Sequence, residues 1–424
     1  MLPPPLIQLS CKLQCYEWGV LLFLSNSSSN CLGKPGSTSA VARFAQATSD
    51  SDIDPSKRYA ELWMGTHPSG PSTSFHDNCD LKTLLSENRS LLGDKVFSRF
   101  DGDLPFLFKV LSIDKALSIQ AHPDKDLAKR LHADDPKNYK DSNHKPEMVI
   151  AITPFAGLCG FRPIDQIKSF LSSVPEFSEL VGENHEFSSS INSDSKEALR
   201  SLFTELMESS ETKIKELSNQ LVSRIRKYGF KEDPELGDLL LRLNEQYPGD
   251  IGLFCVFMMN YIKLRPGEAM FLKAKDIHAY LSGDAIECMA TSDNVVRAGF
   301  TPKFKDVKNL VSMLTYDCGP AESQKIEPWP FSRATGDGKT VLFDPPIAEF
   351  SVLLTVLNSG EKQIIEGLSG PSIMICTQGG GKIIVGGKEE KMTTGKVVFV
   401  GADAELEIRS ETEKCVIYRA FVEV

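Results

Sequence analysis

The sequence predicts a mainly β protein with a helical insertion: one jelly roll interrupted by helices, then a second jelly roll. Three observations carry this. Short apolar runs separated by turn signals fill residues 104–152. From about Pro163 to Gln246 the apolar residues recur at helical spacing. Beyond about Val256, β-branched runs and glycine turns resume and continue to the end.

The elements follow in order. Pro105 to Leu111 reads as a strand, with a turn at Asp114-Lys115. In the next run, Ala116 to Pro123, Gln120 and His122 are two apart, so a strand presents both to one face. Pro123 holds His122 extended and ends the run. Asp124 then caps a helix on which Leu127 and Leu131 share a face and His132 is solvated. Lys145 to Ile152 is a further strand with Glu147 at its start.

The helical region shows three stripes. They are Leu199, Leu202, Phe203 and Leu206; Ile214, Leu217, Leu221 and Ile225, ended by Gly229; and Leu236, Leu239, Leu240 and Leu243, opened by Pro234. Ile277 to Leu281 is a strand closed by the turn Ser282-Gly283-Asp284. In the tail, Ile373 to Cys376 and Lys382 to Val385 flank Gly379-Gly380-Gly381. That glycine run lacks the spacing and following helix of a phosphate loop, so it reads as a hairpin turn.

A chain of 424 residues is long enough for two or three cores. The net charge of −10 excludes a nucleic-acid-binding surface of the usual basic kind. Ten dispersed cysteines without a CxxC pair suit reduced thiols, hence a cytoplasmic protein. No apolar run is long enough to span a membrane, and Val20 to Leu24 makes a poor signal peptide.

Among seven histidines, His122 and His278 each sit at the edge of an apolar run, as Glu147 and Gln120 do. Two imidazoles, a carboxylate and a neutral amide oxygen suit one Zn²⁺ better than Ca²⁺ or Mg²⁺. They carry a single negative charge, so the ion would stay a strong Lewis acid, as a catalytic rather than a structural site requires. Ser118 shares the face of Gln120 and His122, and Tyr280 that of His278. Each is a candidate pocket residue or an ordinary packed side chain.

Several words are more specific than this spacing. Ala60-Glu61-Leu62-Trp63-Met64-Gly65-Thr66-His67-Pro68, Ser118-Ile119-Gln120-Ala121-His122-Pro123-Asp124-Lys125, His144-Lys145-Pro146-Glu147-Met148 and the run Asp293 to Lys303 resemble the type I phosphomannose isomerases. So does the stretch from Pro266-Gly267-Glu268 through Asp284. The resemblance implies a monomeric zinc enzyme that interconverts mannose 6-phosphate and fructose 6-phosphate through an enediol and supplies mannose for GDP-mannose. It places the zinc ligands at Gln120, His122, Glu147 and His278. It makes Arg297 an active-site residue and leaves Lys145 and Glu287 as alternative bases. Lys303, Ser118, Tyr280 and Trp18 are the expected substrate contacts. The implied domains are a cupin-like catalytic domain in two parts (1–162 and 251–315), a helical domain (163–250) and a C-terminal cupin-like domain (316–424).

The family usually runs straight from its Trp-Gly pair to a lysine. Here Val20 to Gly33 stand between Gly19 and Lys34, as an apolar run followed by a serine-asparagine loop. An extra segment beside Trp18 raises the alternative of a sugar-phosphate-binding protein with impaired catalysis. Another metal cupin class, such as an iron dioxygenase, would share the ligand types.

Overall fold

The computed structural model describes residues 5–15, 31–48, 52–182 and 195–424. Trp18 and residues 16–30 of the interrupted first segment lie outside them. The end of that segment is described. The carbonyl of Leu32 accepts the amide of Asp114, and that of Gly33 accepts Arg58 Nη1 at 2.9 Å.

Strand alternation positions the site. Phe106–Ile113 is buried along its whole length and pairs with His278–Ala290, which pairs on its other side with Glu147–Ala151. Phe106, Phe108, Val110, Met148, Ile150, Ile286 and Cys288 face one apolar core. The intervening Leu107, Lys109, Leu111, Glu147 and Glu287 point the other way and line a cavity. A period of two thus puts charges and core on opposite faces of one sheet.

The turn expected at Ser282-Gly283-Asp284 is absent. His278–Ala290 is one strand of 13 residues. Its first part pairs with Phe155–Phe161 and Gln120, its second with Phe106–Ile113. The change of partner falls at Gly283, where φ is +115° and a Cβ would lie 2.7 Å from the Pro154 carbonyl. Asp284 reads as a turn residue but is buried. It accepts hydrogen bonds from Ser112 Oγ at 2.6 Å and Thr153 Oγ1 at 3.1 Å and pairs with Lys34 Nζ at 2.6 Å.

The helical stripes pack as predicted, in Ser195–Met207, Glu211–Tyr228 and Pro234–Gln246. Ser210 and Asp233 cap the second and third, and Gly229 ends the second at φ +73°. Strands resume at Met259 rather than Val256, because Gly252–Met258 is a buried helix. A continuous apolar run of that length carries no period that separates helix from strand. His132, expected to be solvated, is partly buried, and its Nδ1 lies 2.7 Å from the Tyr139 carbonyl.

The C-terminal region is a sandwich of an eight-stranded and a five-stranded sheet. Leu6–Ser10 from the other end of the chain joins the larger sheet beside Val397–Val400, so the first strand does not belong to the catalytic sheet. Gly379-Gly380-Gly381 is not a hairpin turn. Ser372–Gln378 lies in one sheet and Gly380–Val385 in the other, so the glycines carry a crossover. A Cβ at Gly379 or Gly381 would collide with the carbonyl of Lys414 or Arg409. Phe350, Val352, Ile373 and Phe399 share one core with Phe106 and Phe108, which joins the two jelly rolls face to face.

Candidate active site

A cavity of about 910 Å³ opens over the polar face of the catalytic sheet. At its floor Gln120 is the direct cross-strand partner of His278 on one side and of Arg297 on the other. Glu147 begins the adjoining strand, and His122 follows Ile119–Ala121 by one residue.

His122, Glu147 and His278 are each about 1% exposed, and one ligand atom from each lies within 4.8 Å of the others. His122 Nδ1 is 2.6 Å from the Asn294 carbonyl, and His278 Nδ1 is 2.9 Å from the Asp276 carbonyl. A carbonyl only accepts, so both Nδ1 atoms carry the proton, and in the neutral rings both Nε2 atoms carry lone pairs. Burial pushes His122 down to about 4 despite the Glu147 charge, so its ring is neutral near pH 7. Both Nε2 atoms are buried without a hydrogen-bond partner. They lie 3.3 Å from Glu147 Oε1 and Oε2 respectively.

Two lone pairs aimed at a carboxylate repel unless a cation stands among them. The residues therefore fit a metal ion, and imidazole with carboxylate fits zinc. Gln120 lies beside them as the cross-strand partner of His278: its Oε1 accepts the Ser118 hydroxyl at 3.0 Å and has a second lone pair.

Of the other expected site residues, Ser118, Lys145, Tyr280, Glu287, Arg297 and Lys303 line the cavity, and Trp18 lies outside the described residues. Lys145 Nζ sits 3.1 Å from Glu147 Oε1, and the Tyr280 hydroxyl donates to Oε2 at 3.2 Å. Burial works against the Glu147 charge, but the Lys145 ammonium beside it opposes that effect, and the carboxyl lies well below its usual range. Burial and then Glu147 push the Tyr280 phenol well up. Glu287 lies one layer away, 3.0 Å from Lys109 Nζ, and burial raises its proton affinity. Arg297 and Lys303 line the cavity wall, both lowered by burial, with Arg297 and Lys140 adding to the effect at Lys303. The Arg297 Nε is buried and unpartnered.

Residues not singled out from the sequence complete the site. Lys109 is 6% exposed, bridges Glu287 and Glu61 (3.4 Å) and lies 5.0 Å from the Trp63 ring. Its signal was there: a lysine inside the apolar run Phe106 to Leu111. Asn294 holds the His122 ring through its carbonyl, while its side chain donates to the carbonyls of Asp141 (2.6 Å) and Asn143 (2.9 Å). Nothing in local spacing marks that role.

Three family models match the chain: phosphomannose isomerase type I catalytic domain over residues 6–164, helical insertion domain over 176–259 and C-terminal domain over 340–388. A mannose-6-phosphate isomerase of Aspergillus fumigatus is 49% identical, with 97% of this chain and 95% of that one covered. Mannose-6-phosphate isomerases of Schizosaccharomyces pombe and Saccharomyces cerevisiae are each 47% identical, at coverages of 98% and 100%, and of 99% and 99%. Among solved structures, a mannose 6-phosphate isomerase bound with zinc and yttrium superposes with a TM-score of 0.81 at 28% identity, covering 99% of this chain and 100% of that one. The apo form of the Salmonella typhimurium enzyme has the same score and identity with both chains fully covered. Fold, helical insertion and sequence agree over nearly the whole length; Gln120, His122 and Glu147 lie within the matched catalytic domain, and His278 lies between the second and third matched stretches. The chain belongs to the type I phosphomannose isomerase family.

Proposed function

We propose that this chain interconverts mannose 6-phosphate and fructose 6-phosphate, with one zinc ion held by Gln120, His122, Glu147 and His278. The observation that carries the reading is the pair of buried, unpartnered Nε2 atoms facing the Glu147 carboxylate beneath a cavity rimmed by Arg297 and Lys303. The names of the relatives and the zinc-bound structural neighbour support it.

Zinc, when bound, supplies a Lewis acid that makes the hydrogen beside a sugar carbonyl more acidic. The chain's own residues do the rest. Arg297 and Lys303 grip the phosphate, with the Ser118 hydroxyl beside them, and so fix the sugar's carbonyl end over the floor. Moving a proton between C1 and C2 through an enediol needs a base at those carbons. Glu287 and Lys145 are the two candidates. The raised proton affinity of Glu287 favours it, because a base nearer neutrality transfers protons in both directions. Lys109 holds the Glu287 carboxylate in place. Tyr280 orients Glu147 from below.

We place the domain boundaries near residues 162, 250 and 315. The active protein is a monomer in the cytoplasm that supplies mannose for GDP-mannose. The direct test uses mannose 6-phosphate deuterated at C2 and turned over in light water. Loss of deuterium to solvent supports the enediol; complete retention in fructose 6-phosphate supports a direct hydride shift and sinks this mechanism.

A further inference from the structure

We infer that the C-terminal domain takes part in catalysis through one residue: Glu349 is a positioning residue that holds the loop bearing Lys145 and Glu147 in register with the cavity. The inference rests on the isomerase reading above and adds a role for a domain that contributes no side chain to the metal floor.

Glu349 is 4% exposed and lies in the stretch matched by the C-terminal family model. Its Oε1 accepts from His144 Nε2 at 2.7 Å and from Lys125 Nζ at 2.8 Å, and its Oε2 accepts the Ala348 amide at 3.2 Å. Both side-chain donors belong to the catalytic domain, so the carboxylate is a buried tie across the domain boundary.

The tie acts on the site through chain geometry. His144 immediately precedes Lys145, and Pro146 keeps Lys145 extended. In an extended segment successive side chains point to opposite sides. His144 turns to the C-terminal domain, while Lys145 and Glu147 face the cavity. Fixing the His144 ring therefore fixes which side Lys145 presents and where Glu147 begins its strand. The start of the loop is tied separately, by Asp141 to Ser292 and Asn294. Without the tie from Glu349, Lys145 could drift while the strand stays formed. A shift of about 1 Å at such a group costs on the order of 100-fold in rate.

The test uses the full-length, zinc-loaded protein, with isomerase kinetics, zinc release to a chelator and thermal unfolding measured in parallel. Glu349→Gln is expected to lower kcat about 10-fold and speed zinc release about 10-fold, the range found for groups that orient metal ligands. KM should stay within about 2-fold, because the phosphate grip is untouched. Lys125→Met removes only the exposed partner of Glu349 and should behave as wild type. With zinc kept saturating, so that faster release does not empty the site, the double variant Glu349→Gln/Lys145→Met should have a kcat no lower than that of Lys145→Met alone, since both remove the same placement of Lys145. Wild-type kinetics and zinc release in Glu349→Gln, or losses that multiply in the double variant, would overturn the inference and leave Glu349 a purely structural tie. An inactive wild type would instead overturn the isomerase reading, and the zinc-release comparison would still decide the role of Glu349.

Discussion

Gln120 and His278 are direct partners across two antiparallel strands, and Arg297 is the partner of Gln120 on its far side. Cross-strand partners project to one face with their Cβ atoms about 5 Å apart. One short ladder thus delivers two candidate metal ligands and a cation as a row. His278→Ala should leave a folded protein whose zinc is lost on dialysis and whose isomerase activity is gone. Full zinc content in that variant would refute the ligand assignment.

Arg297 is the fixed charge of that row. Hydrogen bonds to charged groups contribute about 1.5–3 kcal/mol each, so Arg297→Ala should lower kcat/KM by about 10- to 100-fold. Inhibition by inorganic phosphate should weaken in parallel. A variant that loses rate but still binds phosphate as wild type would move the phosphate grip elsewhere.

Asn294 orients His122 from outside the cavity. Removing its side chain cuts the bonds to Asp141 and Asn143 and frees the carbonyl that fixes the ring. Asn294→Ala should weaken zinc binding about 10- to 100-fold, as loss of a ligand-orienting group does. Chelator competition measures it; unchanged affinity would show that the ring needs no such support.

Lys109 stands between two carboxylates on a buried strand face. Lys109→Met leaves Glu287 buried without its cation, which typically costs about 3–5 kcal/mol. Urea unfolding should show that loss, and Glu287→Gln in the same background should recover part of it. Equal stability of the two variants would show that Lys109 does not compensate Glu287.

Burial alone would raise the Glu349 carboxyl, but His144 and Lys125 bring it down from 4.5 to about 2. A folded-state value below the unfolded one means stability that is present above about pH 4.5 and lost as pH falls toward about 2. Its contribution is at most about 3 kcal/mol. Urea unfolding from pH 6 to 3 should therefore show wild type losing its advantage over Glu349→Gln on the acid side. Parallel curves would contradict the depressed value.

The β–α–β order, the helical stripes and the candidate ligands were legible because each rests on a period or a residue type. A spacing of two puts Gln120 and His122 on one strand face, and Glu147 and His278 sit where apolar runs begin, but it is the family resemblance that makes the four a ligand set. Asp284 misled because a buried carboxylate satisfied by Ser112, Thr153 and Lys34 has the same letters as a turn. Gly252–Met258 misled because an all-apolar run hides its period. The Gly379–Gly381 crossover and the placement of Leu6–Ser10 depend on contacts between distant segments, which no local pattern contains. The ties of Asn294 and Glu349 were illegible for the same reason.

The central claim is that this chain is a zinc-dependent isomerase of mannose 6-phosphate. The most direct measurement is the conversion of mannose 6-phosphate to fructose 6-phosphate by purified protein, before chelation, after it, and after adding Zn²⁺ back. Activity that disappears with the chelator and returns with zinc is the predicted result. A folded, zinc-loaded protein that converts no substrate, or one whose activity survives complete metal removal, would contradict it.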